Sequence, residues 1–291
     1  VGAVSFSEER FLYNELMTPR LFEKTVLDYY RKHGRQLPWR PPSLKLRKDG
    51  TVQDPYKILV SEVMLQQTQV ASVLSKYELF IKRFPNFKSL AKASFRDVFA
   101  VWQGLGYNRR PLALQKLSQI IVRDYGGKLP QSVSELAELP GIGQATASAI
   151  CAFAWRMPTV FIETNIRAVF NHFFGQGRIL SDKEILDLVD KSLPRMVAPR
   201  DWYYALMDYG VMLKKEKRKQ IRRVGLPART GKAFRGSNRE MRGKILKTLL
   251  SSSKAERVLL RVGEKGRVRR ALGELLREKL IRRHEGRYSL V

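Results

Sequence analysis

The chain has 291 residues, 44% of them hydrophobic, which is long enough for two domains of ordinary size and apolar enough to bury a sizeable interior. Its 55 lysines and arginines against 27 acidic residues give a net charge of +28, far beyond what solubility needs, and the natural partner of such a surface is a polyanion. No run reaches the ~18 uninterrupted apolar residues of a membrane span, the opening VGAVSFSEERF lacks the basic-then-apolar order of a signal peptide, and the one cysteine, Cys151, excludes internal disulfides and a four-thiolate metal site. Three scattered histidines, His33, His172 and His284, do not have the spacing of a zinc site. These features predict a protein without membrane or cofactor, in the cytoplasm and associated with the nucleoid. Charge alone does not separate an enzyme from a passive nucleic-acid binder.

Along the chain, Asp54-Pro55 reads as an N-cap with proline at the first helical position, and helical patterning continues from Tyr56 to Arg83. Short helical runs then alternate with turn signals at Phe84-Pro85-Asn86, Gly104 to Gly106, Gly126-Gly127, Pro140 to Gly143, Pro158 and Gly175 to Gly177. No alternating strand pattern lasts before residue 220, so the first domain, residues 1–213, is mainly α. Residues 214–237 form a basic linker rich in glycine, and Lys214 to Val291 carries 26 basic against 7 acidic residues. Within residues 238–291 the pattern gives helices over Asn238 to Leu250, Lys254 to Val262 and Glu264 to Lys279, then two short strands joined around Glu285-Gly286. Three helices and a terminal hairpin predict a winged-helix-like DNA-binding domain. A helical tail that merely adds charge is the plainer alternative.

Leu139-Pro140-Gly141-Ile142-Gly143, with helical runs over Val133 to Glu138 and Gln144 to Trp155, has the form of a helix-hairpin-helix. Two glycines around one apolar residue let the backbone turn and aim its amides at a phosphate oxygen beside the next helix. Ile142 should be buried to pin the hairpin, and Cys151 should be a small core residue. Glu62 lies among Ile58-Leu59-Val60-Ser61-Glu62-Val63-Met64-Leu65, where partial burial would raise its pKa towards that of a general acid working near neutrality. Gln66, Gln67, Thr68 and Gln69 follow with amides able to bond base edges. Taken alone, Glu62 reads better as a glutamate on the polar face of an amphipathic helix, and an exposed polar face explains the amides equally well.

Gly34-Arg35-Gln36-Leu37-Pro38-Trp39-Arg40, Asp54-Pro55-Tyr56, SEVMLQQTQV from Ser61 to Val70, Trp102-Gln103-Gly104-Leu105-Gly106-Tyr107, the hairpin and Met207-Asp208-Tyr209-Gly210 occur in one order and spacing. In this the chain, from about Tyr29 to Leu213, resembles the MutY-type adenine DNA glycosylases of the helix-hairpin-helix superfamily. The resemblance implies a two-lobed α-helical fold with double-stranded DNA between the lobes and an adenine, mispaired with 8-oxoguanine or guanine, flipped out of the stack. It gives Glu62 the role of acid towards the departing base, and Glu163, in Val160-Phe161-Ile162-Glu163-Thr164-Asn165, the place of the family's aspartate, which stabilises or traps the oxocarbenium-like sugar. Asn165 matches a residue near the sugar. Gln66 and Gln67 match residues that enter the base stack, Leu105 and Tyr107 those that approach the opposite base, and Gly141, Ile142 and Gly143 the backbone-binding hairpin.

Four departures accompany the resemblance. Glutamate replaces aspartate at 163, with helix capping as its competing role, although glutamate is a poor N-cap beside Thr164 and Asn165; Asp208 is the next candidate carboxylate. Ala145 stands where bifunctional relatives carry the Schiff-base lysine, which predicts a glycosylase without β-lyase activity. The family's four-cysteine iron–sulfur loop is absent, with Lys214 at the position of its first ligand and Lys214 and Lys215 expected at DNA instead. Nothing after residue 220 resembles the Nudix-like domain. The reading is a monomeric hydrolase of base-excision repair; a mismatch thymine or uracil glycosylase and a non-catalytic DNA-binding protein on the same fold are the alternatives.

Overall fold

Thr18 accepts a hydrogen bond from the Leu21 amide and Pro19 takes the first helical position, so the computed structural model begins with helix α1, Pro19–His33. The structure describes residues 18–40, 53–194, 197–223 and 236–291; residues 1–17 and the expected linker residues 224–235 lie outside them. Helices α2 (Pro55–Leu65), α3 (Val70–Arg83), α4 (Phe87–Lys92), α5 (Phe95–Trp102), α6 (Arg109–Asp124), α7 (Val133–Ala137) and α8 (Gln144–Trp155) follow. Then come α9 (Thr164–Phe174), α10 (Asp182–Lys191), α11 (Pro199–Arg223) and α12 (Asn238–Ser251). Strand β1 (Lys254–Ala255), helix α13 (Glu256–Leu259), a 3₁₀ turn, helix α14 (Lys265–Arg277) and strands β2 (Ile281–His284) and β3 (Arg287–Leu290) complete the chain. No helix among the described residues is long and apolar enough to cross a membrane.

Two expectations are corrected. The helix predicted from Tyr56 to Arg83 is two helices, broken where Gln67 enters the left-handed region at φ +52°. The linker predicted from Lys214 does not begin there, because α11 continues through Arg223; lysine, arginine, glutamine and glutamate are good helix formers, and a basic composition is no bar to helix.

The chain divides into two compact units: Val1–Ile58, Gln131–Ala137 and Gly143–Ala228 in one, Leu59–Pro130, Glu138–Ile142 and Arg229–Val291 in the other. In the first, α11 packs on α1 and α9, and the ring of Phe22 meets those of Phe170, Phe173, Phe174 and Trp202 at 5.0–5.5 Å. Helix α8 is buried almost all round by small residues, Cys151 among them, as a helix apolar on every side must be. Arg200, itself buried, closes the C-terminal end of α8 by donating to the carbonyls of Phe153 and Ala154 at 2.5 and 2.9 Å.

In the second unit the C-terminal segment does not stand apart. Ile245, Leu249, Leu272, Leu275 and Tyr288 share one hydrophobic cluster with Phe95 and Phe99 of α5 and Leu112 of α6. Arg96 donates to the carbonyl of Leu250 across the same seam. The sheet is antiparallel in the order β1-β3-β2, with Lys254 opposite Tyr288 and Ile281 opposite Leu290. Glu285 and Gly286, both at positive φ, make the two-residue turn that matches the strands' twist. Instead of the helix expected over Lys254 to Val262, this stretch is a strand, one helical turn and a 3₁₀ turn, since its first residues pair with β3.

Met207-Asp208-Tyr209-Gly210 explains itself in the packing of the first unit. Asp208 is 2% exposed, and its carboxylate takes the Arg35 amide at 2.8 Å, the Arg35 Nε at 2.7 Å and a bidentate pair from the buried Arg40 at 2.9 and 3.0 Å. Arg40 also lies over the Tyr204 ring at 4.2 Å. Asp208 thereby ties the segment around Arg35 and Arg40 to α11, and it is not the spare carboxylate considered from the sequence. Asp208→Ala is expected to cost about 3–5 kcal/mol of stability, because it strands the Arg40 charge in the interior; chemical denaturation with no loss of midpoint would contradict this.

Candidate functional site

In the second unit the site is built on the break between α2 and α3. Glu62 lies half-buried three residues before the end of α2. The helix cannot continue through Gln67, so its last carbonyls need other donors. Arg110 supplies them: its Nη1 reaches the carbonyls of Val63, Met64 and Gln66 at 2.7–2.8 Å. Its Nη2 reaches Thr68 Oγ1 at 2.8 Å and the carbonyls of Leu105 and Gly106 at 3.3 and 3.4 Å. Burial pushes the Arg110 guanidinium down to about 10, which still leaves it charged at neutral pH. One side chain thus fixes both the Gln66–Thr68 turn and the Leu105–Gly106 turn. Nothing in the sequence singled it out.

The two turns carry Gln66, Gln67, Leu105 and Tyr107. Gln66 donates to the Gly141 carbonyl at 3.1 Å, linking the glutamine turn to the hairpin. Gln67 is exposed, Tyr107 half-buried at φ +47°, and Leu105 is only 5% exposed, its side chain turned into the interior. Gly141 has φ +82°, and a Cβ there would meet Ala113 Cβ at 2.9 Å, so both backbone and packing require glycine. Gly143 has φ −97°, and a Cβ there would meet open space; it caps α8, and its lack of a side chain leaves the adjoining backbone accessible. Ile142 is buried.

In the first unit Glu163 is the N-cap of α9. Its Oε1 accepts the amides of Asn165 and Ile166, both at 2.7 Å, and its Oε2 accepts Asn165 Nδ2 at 3.0 Å and the Thr164 hydroxyl at 3.3 Å. The capping role discounted from the sequence is therefore real, because the longer side chain folds back onto two backbone donors. Lys214 Nζ donates to Asn165 Oδ1 at 2.9 Å, and burial holds this amine below the usual lysine range against the opposing pull of Glu163. Gly210, one turn earlier on α11, permits the approach: a Cβ there would fall 2.4 Å from the Asn165 carbonyl oxygen. Lys214 is thus half-buried and engaged with Asn165, whereas Lys215 is exposed.

These residues do not fit an iron–sulfur cluster. The position of its first ligand holds a cation bonded to Asn165, Cys151 is buried within α8, and no group of three or more His, Cys, Asp or Glu among the described residues could hold a metal ion.

The family model of the HhH-GPD superfamily base excision DNA repair proteins matches residues 60–195. The chain is 31% identical to the adenine DNA glycosylase of Mycobacterium tuberculosis over 296 aligned positions, covering 94% of each chain. The chain belongs to the MutY-type glycosylases of the HhH-GPD superfamily. The adenine DNA glycosylase of Mycolicibacterium smegmatis is likewise 31% identical, over 91% of this chain and 94% of its own. Among solved structures, a thermostable thymine-DNA glycosylase superposes with a TM-score of 0.58 at 25% identity, covering 67% of this chain and 86% of its own. This glycosylase of base-excision repair is therefore a member in which helix α11 runs on where the resemblance implies a cluster loop.

Two outcomes follow for the glycosylase. Arg110→Met should lose at least about 2 kcal/mol of stability, since several helix-end carbonyls are left without donors; an unchanged unfolding midpoint would show that water replaces the guanidinium without cost. Purified protein should be colourless and free of iron, and chelators should alter neither its melting temperature nor its activity; stoichiometric iron by elemental analysis would contradict it.

Proposed function

We propose that the protein is a monofunctional DNA glycosylase that removes adenine mispaired with 8-oxoguanine or guanine, leaving an abasic site without cutting the strand. The observation that carries this reading is the similarity over 94% of both chains to a protein called adenine DNA glycosylase. The Glu62 helix, the glutamine turn and the hairpin agree with it.

The proposed chemistry needs two carboxyl groups in different states. Glu62, half-buried among apolar residues of α2, acts as the acid: its proton passes to adenine N7 as the C1′–N9 bond breaks, so that the base departs neutral. The sugar left behind carries positive charge shared between C1′ and O4′, and Glu163 stabilises it until water adds at C1′ and gives up a proton. The four hydrogen bonds on Glu163 favour electrostatic stabilisation over covalent attack. An oxygen already accepting two amides at 2.7 Å has its lone pairs committed and is a poor nucleophile. Asn165, held from one side by Glu163 and from the other by Lys214, positions that carboxylate. With Ala145 in place of an amine, strand cleavage should require alkali. The segment from α12 to β3 has the element order of a winged helix and is read as a DNA-binding part of the same enzyme, acting in the cytoplasm as a monomer.

Single-turnover assays on duplexes carrying adenine opposite 8-oxoguanine, adenine opposite guanine, thymine opposite guanine and uracil opposite guanine, with and without alkali, test the reading. Product is expected from the two adenine duplexes and only after alkali; cleavage of thymine or uracil alone would replace it with the mismatch-thymine reading. Glu62→Gln should slow base release by about 10²–10⁴-fold while duplex affinity holds. Glu163→Gln should abolish release, since an amide dipole cannot replace the charge, whereas Glu163→Asp, an effective N-cap, should retain partial activity. A near-normal rate in Glu163→Gln would move the stabilising charge elsewhere.

A further inference from the structure

Lys214 stands where the resemblance places the first ligand of a cluster, and a lysine in so basic a stretch is expected at DNA. The structure turns its amine inward instead. Half-buried on α11, it makes one side-chain hydrogen bond among the described residues, to Asn165 Oδ1 at 2.9 Å. The other end of the same amide, Nδ2, meets Glu163 Oε2 at 3.0 Å. No direct ion pair joins Lys214 to Glu163, so the asparagine side chain bridges a cation and a carboxylate. Burial disfavours the ammonium and the Glu163 charge favours it.

An ammonium only donates and a carboxylate only accepts, whereas an amide has one accepting end and one donating end. Asn165 therefore bridges the two in a single orientation, since its reverse would set donor against donor and acceptor against acceptor. Two backbone amides fix Glu163 Oε1, but the torsion that turns a glutamate's carboxyl plane is broad. Oε2 takes its place mainly from Asn165, the Thr164 hydroxyl being further off at 3.3 Å. Without Lys214, the half-buried Asn165 amide would turn its oxygen to water and carry Nδ2 away with it. Gly210 leaves room for the bridge, because a Cβ there would lie 2.7 Å from Asn165 Cβ. An ammonium set directly on Glu163 would offset the charge that a sugar cation requires; with the amide between them, the carboxylate is oriented without being paired.

We propose that Lys214 is a positioning residue of base release: it anchors Asn165, thereby sets the plane of the Glu163 carboxylate, and makes no phosphate contact. The proposal rests on the reading of Glu163 as the group that stabilises the sugar cation. It gives the position of the missing cluster ligand a role in the chemistry itself.

The test compares the full chain with Lys214→Met, which keeps an unbranched stem and good helix propensity. On a duplex carrying adenine opposite 8-oxoguanine, with enzyme in saturating excess, Lys214→Met should slow base release about 10- to 100-fold, as displacement of a reacting group does. Duplex affinity and the slope of log K against log salt should not change. In an Asn165→Ala background the same substitution should alter the rate by less than about twofold, because the lysine then has nothing to act through. A readout independent of activity is the Asn165 side-chain amide in protein labelled with ¹⁵N-asparagine, assigned by its loss in Asn165→Ala. It should stand apart from the exposed asparagine amides and move to their position in Lys214→Met. A salt slope reduced by roughly 0.9 with the rate intact would make Lys214 a phosphate contact and overturn the proposal. Losses that multiply in the double variant, or an Asn165 resonance that Lys214→Met leaves in place, would overturn it equally. If the resonance moves as expected but no duplex loses its base, the glycosylase reading fails and the anchoring of Asn165 stands.

Discussion

A helix that ends in the interior must find donors for its last carbonyls, and in the second unit that requirement is met by one buried guanidinium. Arg110 gathers three carbonyls from the end of α2, the Thr68 hydroxyl and two carbonyls of the Leu105–Gly106 turn. Leaving such groups unpaired costs roughly 1–3 kcal/mol each, so the turn exists in this form only while the cation is there. Glu62, Gln66, Gln67 and Tyr107 all take their positions from it. The left-handed backbone at Gln67 and Tyr107 is tolerable because the carbonyls just before them, of Gln66 and Gly106, are held.

Helix α11 organises the first unit by three devices spaced along one sequence. Asp208 binds Arg35 and Arg40, Gly210 lets the helix approach Asn165 closely, and Lys214 donates to the Asn165 side chain. The third depends on the second, since the amine reaches Asn165 only if the backbones are near. A cysteine loop at this point would end the helix; a lysine continues it and supplies a charge beside Glu163.

The basic tail contributes more than electrostatic attraction. Its apolar residues complete a core with Phe95, Phe99 and Leu112, and its acidic residues, few as they are, serve to orient arginines and an asparagine. Net charge says how strongly a surface attracts DNA; the Glu274 and Glu278 pairs decide which guanidiniums stand ready and which way they face.

The sequence by itself determined the helical class, the hairpin at Leu139–Gly143, the capped start at Asp54, the terminal strand pair and the burial of Ile142 and Cys151. All of these follow from signals a few residues long: caps, glycines, proline and apolar spacing. The SEVMLQQTQV segment stood out as a candidate site only through the family resemblance, and nothing in it foretold the break at Gln67. Tertiary structure alone decided that the helix ends at Leu65, because the donor to the Gln66 carbonyl just beyond it is Arg110, 44 residues further along the chain. It decided that Glu163 caps a helix and shares Asn165 with Lys214, that Asp208 is an internal tie, and that α12 faces the glutamine turn across a cavity. These are choices among hydrogen-bond partners and core neighbours far apart in the chain. Local patterning can state that a buried polar group must be satisfied, but only the folded chain selects the group that satisfies it.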